Sequence, residues 1–237
     1  MEYDELYSKD PYNVGKEEKR ELLRKRLIHL SEVHSSNCGY YRNLVKGLNK
    51  DLSKCDLEDI PYYPVRLFKN LDLKSVSDED IVKTLTSSGT TGQKVSRIYL
   101  DRTTAVNQQK TLVKIVSNYI GSSRAPMIII DCPSVIKDRD KFSARGAGIL
   151  GFSIFATKKI FALNDDMELN VDGLLEFLNE NKGKTVFMFG FTFMIWQYFY
   201  KELCRLEKEG VRIDLSNAVL FHGGGWKKLI NEAVDRN

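Results

Sequence analysis

In residues 16–36, KEEKRELLRKRLIHLSEVHSS, the apolar positions Leu22, Leu23, Leu27, Ile28, Leu30 and Val33 recur at helical spacing with charges between them. That pattern predicts an amphipathic helix, closed by Asn37-Cys38-Gly39. Residues 40–75 are mixed and are interrupted by Pro61 and Pro64. Here Tyr62, Tyr63, Val65, Leu67 and Phe68 are expected to form an extended arm packed on a larger body. From residue 80 apolar runs of strand length alternate with amphipathic runs of helix length. Strands are predicted at 81–85, 95–100, 126–132, 152–156, 185–190 and 218–221. Helices are predicted at 101–121, with Asp101 as N-cap, and at 144–150, 170–182, 192–209 and 226–234. The alternation predicts an α/β fold, with largely parallel sheets flanked by helices and a helical N-terminal arm. The arm is assigned to residues 1–79 and the α/β core to residues 80–237. Ligands of such sheets sit at the carboxyl ends of the strands. Two glycine-rich turns, 87–92 and 223–225, follow strands and are expected to line one crevice.

Composition narrows the classes. With 237 residues, 42% of them hydrophobic, the chain can bury a substantial core. A net charge of +4 is no nucleic-acid footprint. Cys38, Cys55, Cys132 and Cys204 lie far apart with no CxxC pair, which argues against a zinc site or a redox dithiol and suits a reducing cytoplasm. No metal-ligating residue is assigned. The polar, acidic start MEYDELYSKDPYNVG does not read as a signal peptide, so a cytoplasmic location is expected. The most apolar run, Val186 to Tyr200, has 15 residues, short of the roughly 20 that a spanning helix needs. It is expected to be a buried strand passing into a core-facing helix, not a membrane span.

The candidate chemistry centres on Ser87-Ser88-Gly89-Thr90-Thr91-Gly92-Gln93-Lys94. Glycines let backbone N–H groups approach an anion, hydroxyls add donors, and a lysine adds charge. Neither the Walker pattern nor a Rossmann GxGxxG fits, because Gly89 and Gly92 are only three apart and Val95 follows the lysine. On composition alone a phosphate cradle and a plain hairpin turn remain equally open. At 222–225, a site and a strand-to-helix turn are both open for His222, Gly223, Gly224 and Gly225. The same holds for Arg145 with Gly146, as an anion or acyl contact or a surface salt bridge. Gly190 and Phe191 suit either an acyl-pocket floor or plain core. His29 and His34 are expected on a solvated helix face, and Cys132 as a buried structural thiol.

Ser87 through Gly92 resembles the signature phosphate loop of the adenylate-forming superfamily, which includes acyl-CoA synthetases and luciferases. The proline usual before the lysine is missing, so Lys94 stands one position out of register. Cys38 to Arg42, Ile60-Pro61 with Pro64 to Lys69, Ser143 to Gly148 and Phe221 to Lys228 resemble the LuxE-type acyl-protein synthetases, bacterial enzymes that activate a fatty acid with ATP. The N-terminal portion is also similar to phenylacetate-CoA ligase-like proteins. The likeness covers most of residues 37–228 and implies the N-terminal large domain of the adenylate-forming fold, with 80–237 as its nucleotide-binding core.

That resemblance implies ATP and Mg2+, a small-molecule carboxylic acid substrate, and an acyl-reductase or acyl-transferase protein as partner. It implies that Ser87 to Gly92, with Lys94, hold the β- and γ-phosphates, and that His222 to Gly225 face the adenine and the acyl group. Arg145, Gly146, Gly190 and Phe191 are carried as candidate contacts to the acid. The family's catalytic lysine and acyl-accepting cysteine fall on no residue of this sequence, so activity is expected of a longer protein. The acceptor stays open between a protein cysteine and CoA. A non-catalytic nucleotide- or partner-binding module and an unrelated NTP-binding protein remain alternative classes.

Overall fold

Every residue of the strand Ala125–Ile130 (β3), sequence APMIII, is buried. A continuous apolar run of this kind belongs to a strand covered on both faces. The structure is a computed structural model that describes residues 7–10, 12–86, 94–122, 124–136, 144–226 and 230–233. It divides into two compact units, Met1–Lys114 and Ile115–Asn237, whereas the sequence reading drew its boundary at 79/80.

In the second unit β3 lies inside a four-stranded parallel sheet with Ala156–Phe161 (β4), Val186–Phe191 (β5) and Ala218–Gly223 (β6), in the order β4-β3-β5-β6. The period of two on β5 sends Val186 and Met188 into a cluster with Ile128, Ile130, Leu174, Phe177 and Phe199. Phe187 and Phe189 contact Phe152, whose ring stacks on Phe189 at 4.3 Å between centroids. Phe152 ends the helix Ala144–Phe152 (α4), and Leu174 and Phe177 belong to the helix Val171–Glu180 (α5). Asn170 caps α5 by accepting from Gly173 N at 3.1 Å. The chain steps from β3 out to β4, then back across β3 to β5. The order therefore reverses between β3 and β5, which makes their carboxyl ends the switch point of the sheet.

After β5 the backbone is helical from Thr192, passes through a π-helical stretch at Ile195–Tyr200, and resumes as the α-helix Lys201–Lys208 (α6). The apolar run 186–200 is thus a buried strand continued by a helix. Among the described residues no helix is long and apolar enough to cross a membrane.

In the first unit a helix spans Lys16–Asn37 (α1), as its apolar spacing predicts. Short helical pieces follow at Gly39–Gly47 (α2), Leu52–Lys54, Leu57–Asp59 and Val65–Lys69. The expected extended arm is instead a chain of tight turns, and Tyr62 and Val65 stand 79% and 78% exposed rather than packed. Tyrosine hydroxyls hold this segment: Tyr41 donates to Pro61 O at 2.6 Å and Tyr63 to Tyr40 O at 2.6 Å.

Ile81–Thr86 (β1) and Arg97–Asp101 (β2) pair antiparallel, from Ile81 opposite Asp101 to Thr86 opposite Arg97. They form a two-stranded sheet of their own, so the expected parallel arrangement holds for the four later strands only. Asp101 caps the helix Arg102–Ile120 (α3), accepting from Thr104 N at 2.8 Å. One strand is misplaced by the pattern. Residues 153–155 form a 3-10 turn, and β4 starts at Ala156. Phe155 is apolar because it is 1% exposed and packs edge-on to Phe187, while Thr157, Lys158 and Lys159 keep an edge strand polar. Of the helix expected at 226–234, the described residues show a 3-10 turn at Ile230–Glu232.

Candidate functional site at the carboxyl edge of the sheet

The carboxyl end of β3 delivers Asp131 and Cys132, that of β5 delivers Phe191 and Thr192, and that of β6 delivers His222 to Gly224. Arg145 enters at the first turn of α4. These residues gather at one edge of one sheet because parallel strands all present the same end there.

Asp131 is 1% exposed, and its partner is Arg145: Nη2 donates to Oδ1 at 3.1 Å, and Nε lies 3.0 Å from Oδ2. The second contact is an ion pair without hydrogen-bond alignment. Cys132 N also donates to Oδ1, at 2.9 Å. Burial pushes the Asp131 carboxyl above its ordinary value, against the pull of Cys132 N–H and the Arg145 charge. The guanidinium is anchored on one side only. Its Nη1 points at Met194 Sδ, 3.6 Å away, and its plane lies 5.8 Å from the Phe193 ring centroid. A thioether is a weak acceptor, so Nη1 keeps donor capacity for an anion at the switch point. Arg145 is therefore no plain surface salt bridge, because its ion pair has a buried partner.

Thr192 ties β5 to the turn after β6. Its hydroxyl donates to Gly223 O at 3.1 Å and lies 3.2 Å from His222 Nδ1. Gly224 has φ +79°, a conformation open to glycine, and a Cβ there would stand 3.3 Å from Phe191 Cδ1. A Cβ at Gly223 or Gly225 would meet nothing within 4 Å. The backbone at Gly223 and Gly225 therefore borders open space, with His222 exposed beside it. Trp226 packs edge-on against Trp196 at 5.5 Å, and Trp196 stacks on Tyr200 within the π-helical stretch. Such a stretch widens a helix and is frequent at functional sites.

The remaining expected residues separate. Gly190 is buried, and a Cβ there would meet Ile130 Cβ at 2.9 Å and Ile195 Cγ1 at 3.0 Å, so its absence lets the helix after β5 close on β3. Gly146 is buried in α4. Phe191 is half-buried and packs edge-on to Phe189. Cys132 is 4% exposed, with Sγ 3.1 Å from Ser134 Oγ. His29 and His34 are exposed on α1, His34 bonding Ser75. Lys94 is exposed, and Ser87, Ser88, Gly89, Thr90, Thr91 and Gly92 lie outside the described residues. Among the described residues no three His, Cys, Asp or Glu side chains converge as a metal cage. A Mg2+ that travels with nucleotide needs only one or two carboxylates besides phosphate oxygens. Pattern reading assigned no role to Asp131, Trp196 or Trp226. The signal for Asp131 was a lone acid at the end of an all-apolar strand.

Comparison with known proteins adds the family. The chain is 25% identical to the long-chain-fatty-acid–luciferin-component ligase of Vibrio harveyi over 240 residues, covering 99% of this chain and 61% of that protein. It is 26% identical to the ligase of the same name from Aliivibrio fischeri, over 98% of this chain and 60% of that protein. A third of that name, from Photorhabdus luminescens, is 29% identical over 99 residues, 42% of this chain and 84% of the relative. The chain thus spans about three fifths of the length of the Vibrio harveyi and Aliivibrio fischeri relatives. The family described as "Acyl-protein synthetase, LuxE" matches residues 1–237, and the chain belongs to that family.

Proposed function

We propose that the protein carrying this chain is an acid–thiol ligase that activates a fatty acid with ATP as an acyl-adenylate and passes the acyl group to a protein cysteine. The observation that carries this reading is the match to the LuxE family along the whole chain, with relatives named as long-chain-fatty-acid ligases. The reaction makes modest demands on side chains. A carboxylic acid is ionised at neutral pH, so its oxygen attacks the α-phosphorus without a general base, and the bond to pyrophosphate breaks. The protein's task is to hold two anions together and neutralise the leaving charge. That suits a site built from donors rather than from a Ser-His-Asp triad.

In this reading Ser87, Ser88, Gly89, Thr90, Thr91 and Gly92, with Lys94, embrace the β- and γ-phosphates with Mg2+. The backbone of Gly223 to Gly225 takes the adenine face, with His222 at its edge and Thr192 holding the turn. Arg145, with Gly146 beside it, orients the carboxylate through Nη1, and Phe191 lines the approach above Gly190. The acyl group then passes to a partner of the acyl-reductase or acyl-transferase kind, in the cytoplasm.

The test is ATP–pyrophosphate exchange by the longer protein. Exchange that requires a long-chain acid, and that falls on Thr90→Ala or Thr91→Ala, is expected. Exchange that ignores added acid overturns the reading.

A further inference from the structure

Thr192 Oγ1 lies 3.1 Å from Gly223 O, 3.4 Å from Gly224 O and 3.2 Å from His222 Nδ1. A carbonyl oxygen can only accept, and a hydroxyl has one proton to give. The Thr192 proton therefore goes to the turn, where Gly223 O is the nearer acceptor. The ring nitrogen must then be the donor, with Nδ1–H directed at the hydroxyl oxygen. In a neutral imidazole one nitrogen donates and the other accepts, so Nε2 carries the lone pair. His222 is exposed, and among the described residues Nε2 has no partner. A base of fixed tautomer is thus presented at the carboxyl end of β6, beside backbone that borders open space.

We infer that His222 is the general base of the second half of the reaction, taking the proton of the thiol that receives the acyl group. The inference rests on the ligase reading above and deepens it by giving the transfer step a catalytic residue. Adenylation needs no base, because the acid arrives ionised. The thiol does need one: with an ordinary pKa of about 8.5 it is mostly protonated at neutral pH, and only the thiolate attacks. Imidazole is the side chain most often used for such a transfer. His29 and His34 lie on α1, and His222 is the one histidine of the second unit. Asp131 and Cys132, delivered by β3, are both buried, and Asp131 is held by Arg145. In the step the S–H bond breaks and its proton passes to Nε2. The sulfur electron pair forms a C–S bond at the acyl carbonyl carbon. The C–O bond to the adenylate phosphate breaks, and AMP leaves with that pair. The imidazolium keeps Nδ1–H on Thr192 and returns the Nε2 proton to water.

Two measurements test this on separate grounds. Long-range 1H–15N spectra of the chain with 15N-labelled histidine, taken where the rings are neutral, report each tautomer without any activity. His222→Asn identifies the His222 signals. The expected result is Nδ1–H with a bare Nε2, lost in Thr192→Val; an Nε2–H ring in the parent chain overturns the inference. In the longer protein, ATP–pyrophosphate exchange reads adenylation, and transfer of labelled acyl to the acceptor thiol reads the second step. His222→Gln is expected to lower acyl transfer roughly a hundredfold more than exchange. Equal loss in both reactions overturns the base and leaves His222 a nucleotide contact. Absence of acid-dependent exchange in the unmutated protein instead removes the ligase reading, and the base with it.

Discussion

The guanidinium of Arg145 holds the buried carboxylate of Asp131, Nη2 to Oδ1 at 3.1 Å, at the point where the order of the parallel sheet reverses. Asp131 is 1% exposed, so it depends on this cation, whereas Arg145, with 30% of its side chain exposed, can also reach water or ligand. The two partners are therefore unequal. Arg145→Leu strands a buried charge and is expected to cost roughly 3–5 kcal/mol, whereas Asp131→Asn is expected to cost less. Thermal denaturation of the two variants compares them. A larger loss in Asp131→Asn would contradict the assignment.

The pH dependence has a definite sign. Burial raises the folded pKa of Asp131 above its unfolded value. The folded state then binds its proton more readily, and this group's contribution to stability declines as pH rises from the unfolded value through the folded one. Without Arg145 the folded value moves higher still. The deficit of Arg145→Leu is therefore expected to shrink as pH falls toward the ordinary carboxylate range of about 4. Melting curves across that range check it; a deficit that grows on acidification would be the wrong sign.

Three glycines should separate packing from binding. Gly190→Ala drives a Cβ to within 2.9 Å of Ile130 and 3.0 Å of Ile195 and is expected to destabilise by roughly 1–3 kcal/mol. Gly224→Ala imposes a left-handed conformation on alanine, at about 1 kcal/mol. Gly223→Ala meets nothing within 4 Å and should melt like the parent chain. If the turn carries adenine, Gly223→Ala nonetheless loses ATP protection against unfolding. Equal protection in Gly223→Ala and the parent would remove adenine from this turn.

Thr192→Val keeps the side chain's shape and removes the hydroxyl that donates to Gly223 O. A stability loss of about 1 kcal/mol is expected, together with weaker nucleotide protection. Weakened protection without any change in melting temperature would make the hydroxyl a ligand contact instead of a tether.

Native-state alkylation should find Cys204 first. Cys38, Cys55 and Cys132 are buried, and Cys204 alone of the four is partly exposed. Peptide mapping after brief iodoacetamide treatment is expected to show Cys204 modified and Cys132 protected. Rapid labelling of Cys132 would contradict its burial beneath the carboxyl edge.

Much of the fold was legible because burial leaves a period. The stripe Leu22 to Val33 marked α1, and the run PMIIIDC at 126–132 marked the buried strand that the structure places at Ala125–Ile130. The pattern failed where apolar residues serve a turn, as Phe155 does, or where tyrosine hydroxyls replace apolar burial, as between Tyr41 and Pro61. At the candidate site the glycine-rich turn at 222–225 was visible because unusual backbone requires unusual residues. Asp131 was not, since nothing local distinguishes an acid awaiting a buried cation from one at a strand end in water.

The sequence by itself determined the α/β alternation, the family likeness and the residue types that can meet phosphate. These depend on local periodicity and on short runs whose chemistry is readable in one dimension. Tertiary structure alone decided that β1 and β2 stand apart as an antiparallel ribbon, that the strand order reverses between β3 and β5, and that Arg145 meets Asp131 across 14 positions of chain. Strand neighbours and ion-pair partners are set by which surfaces close on each other, and contacts between distant residues leave no period in the chain.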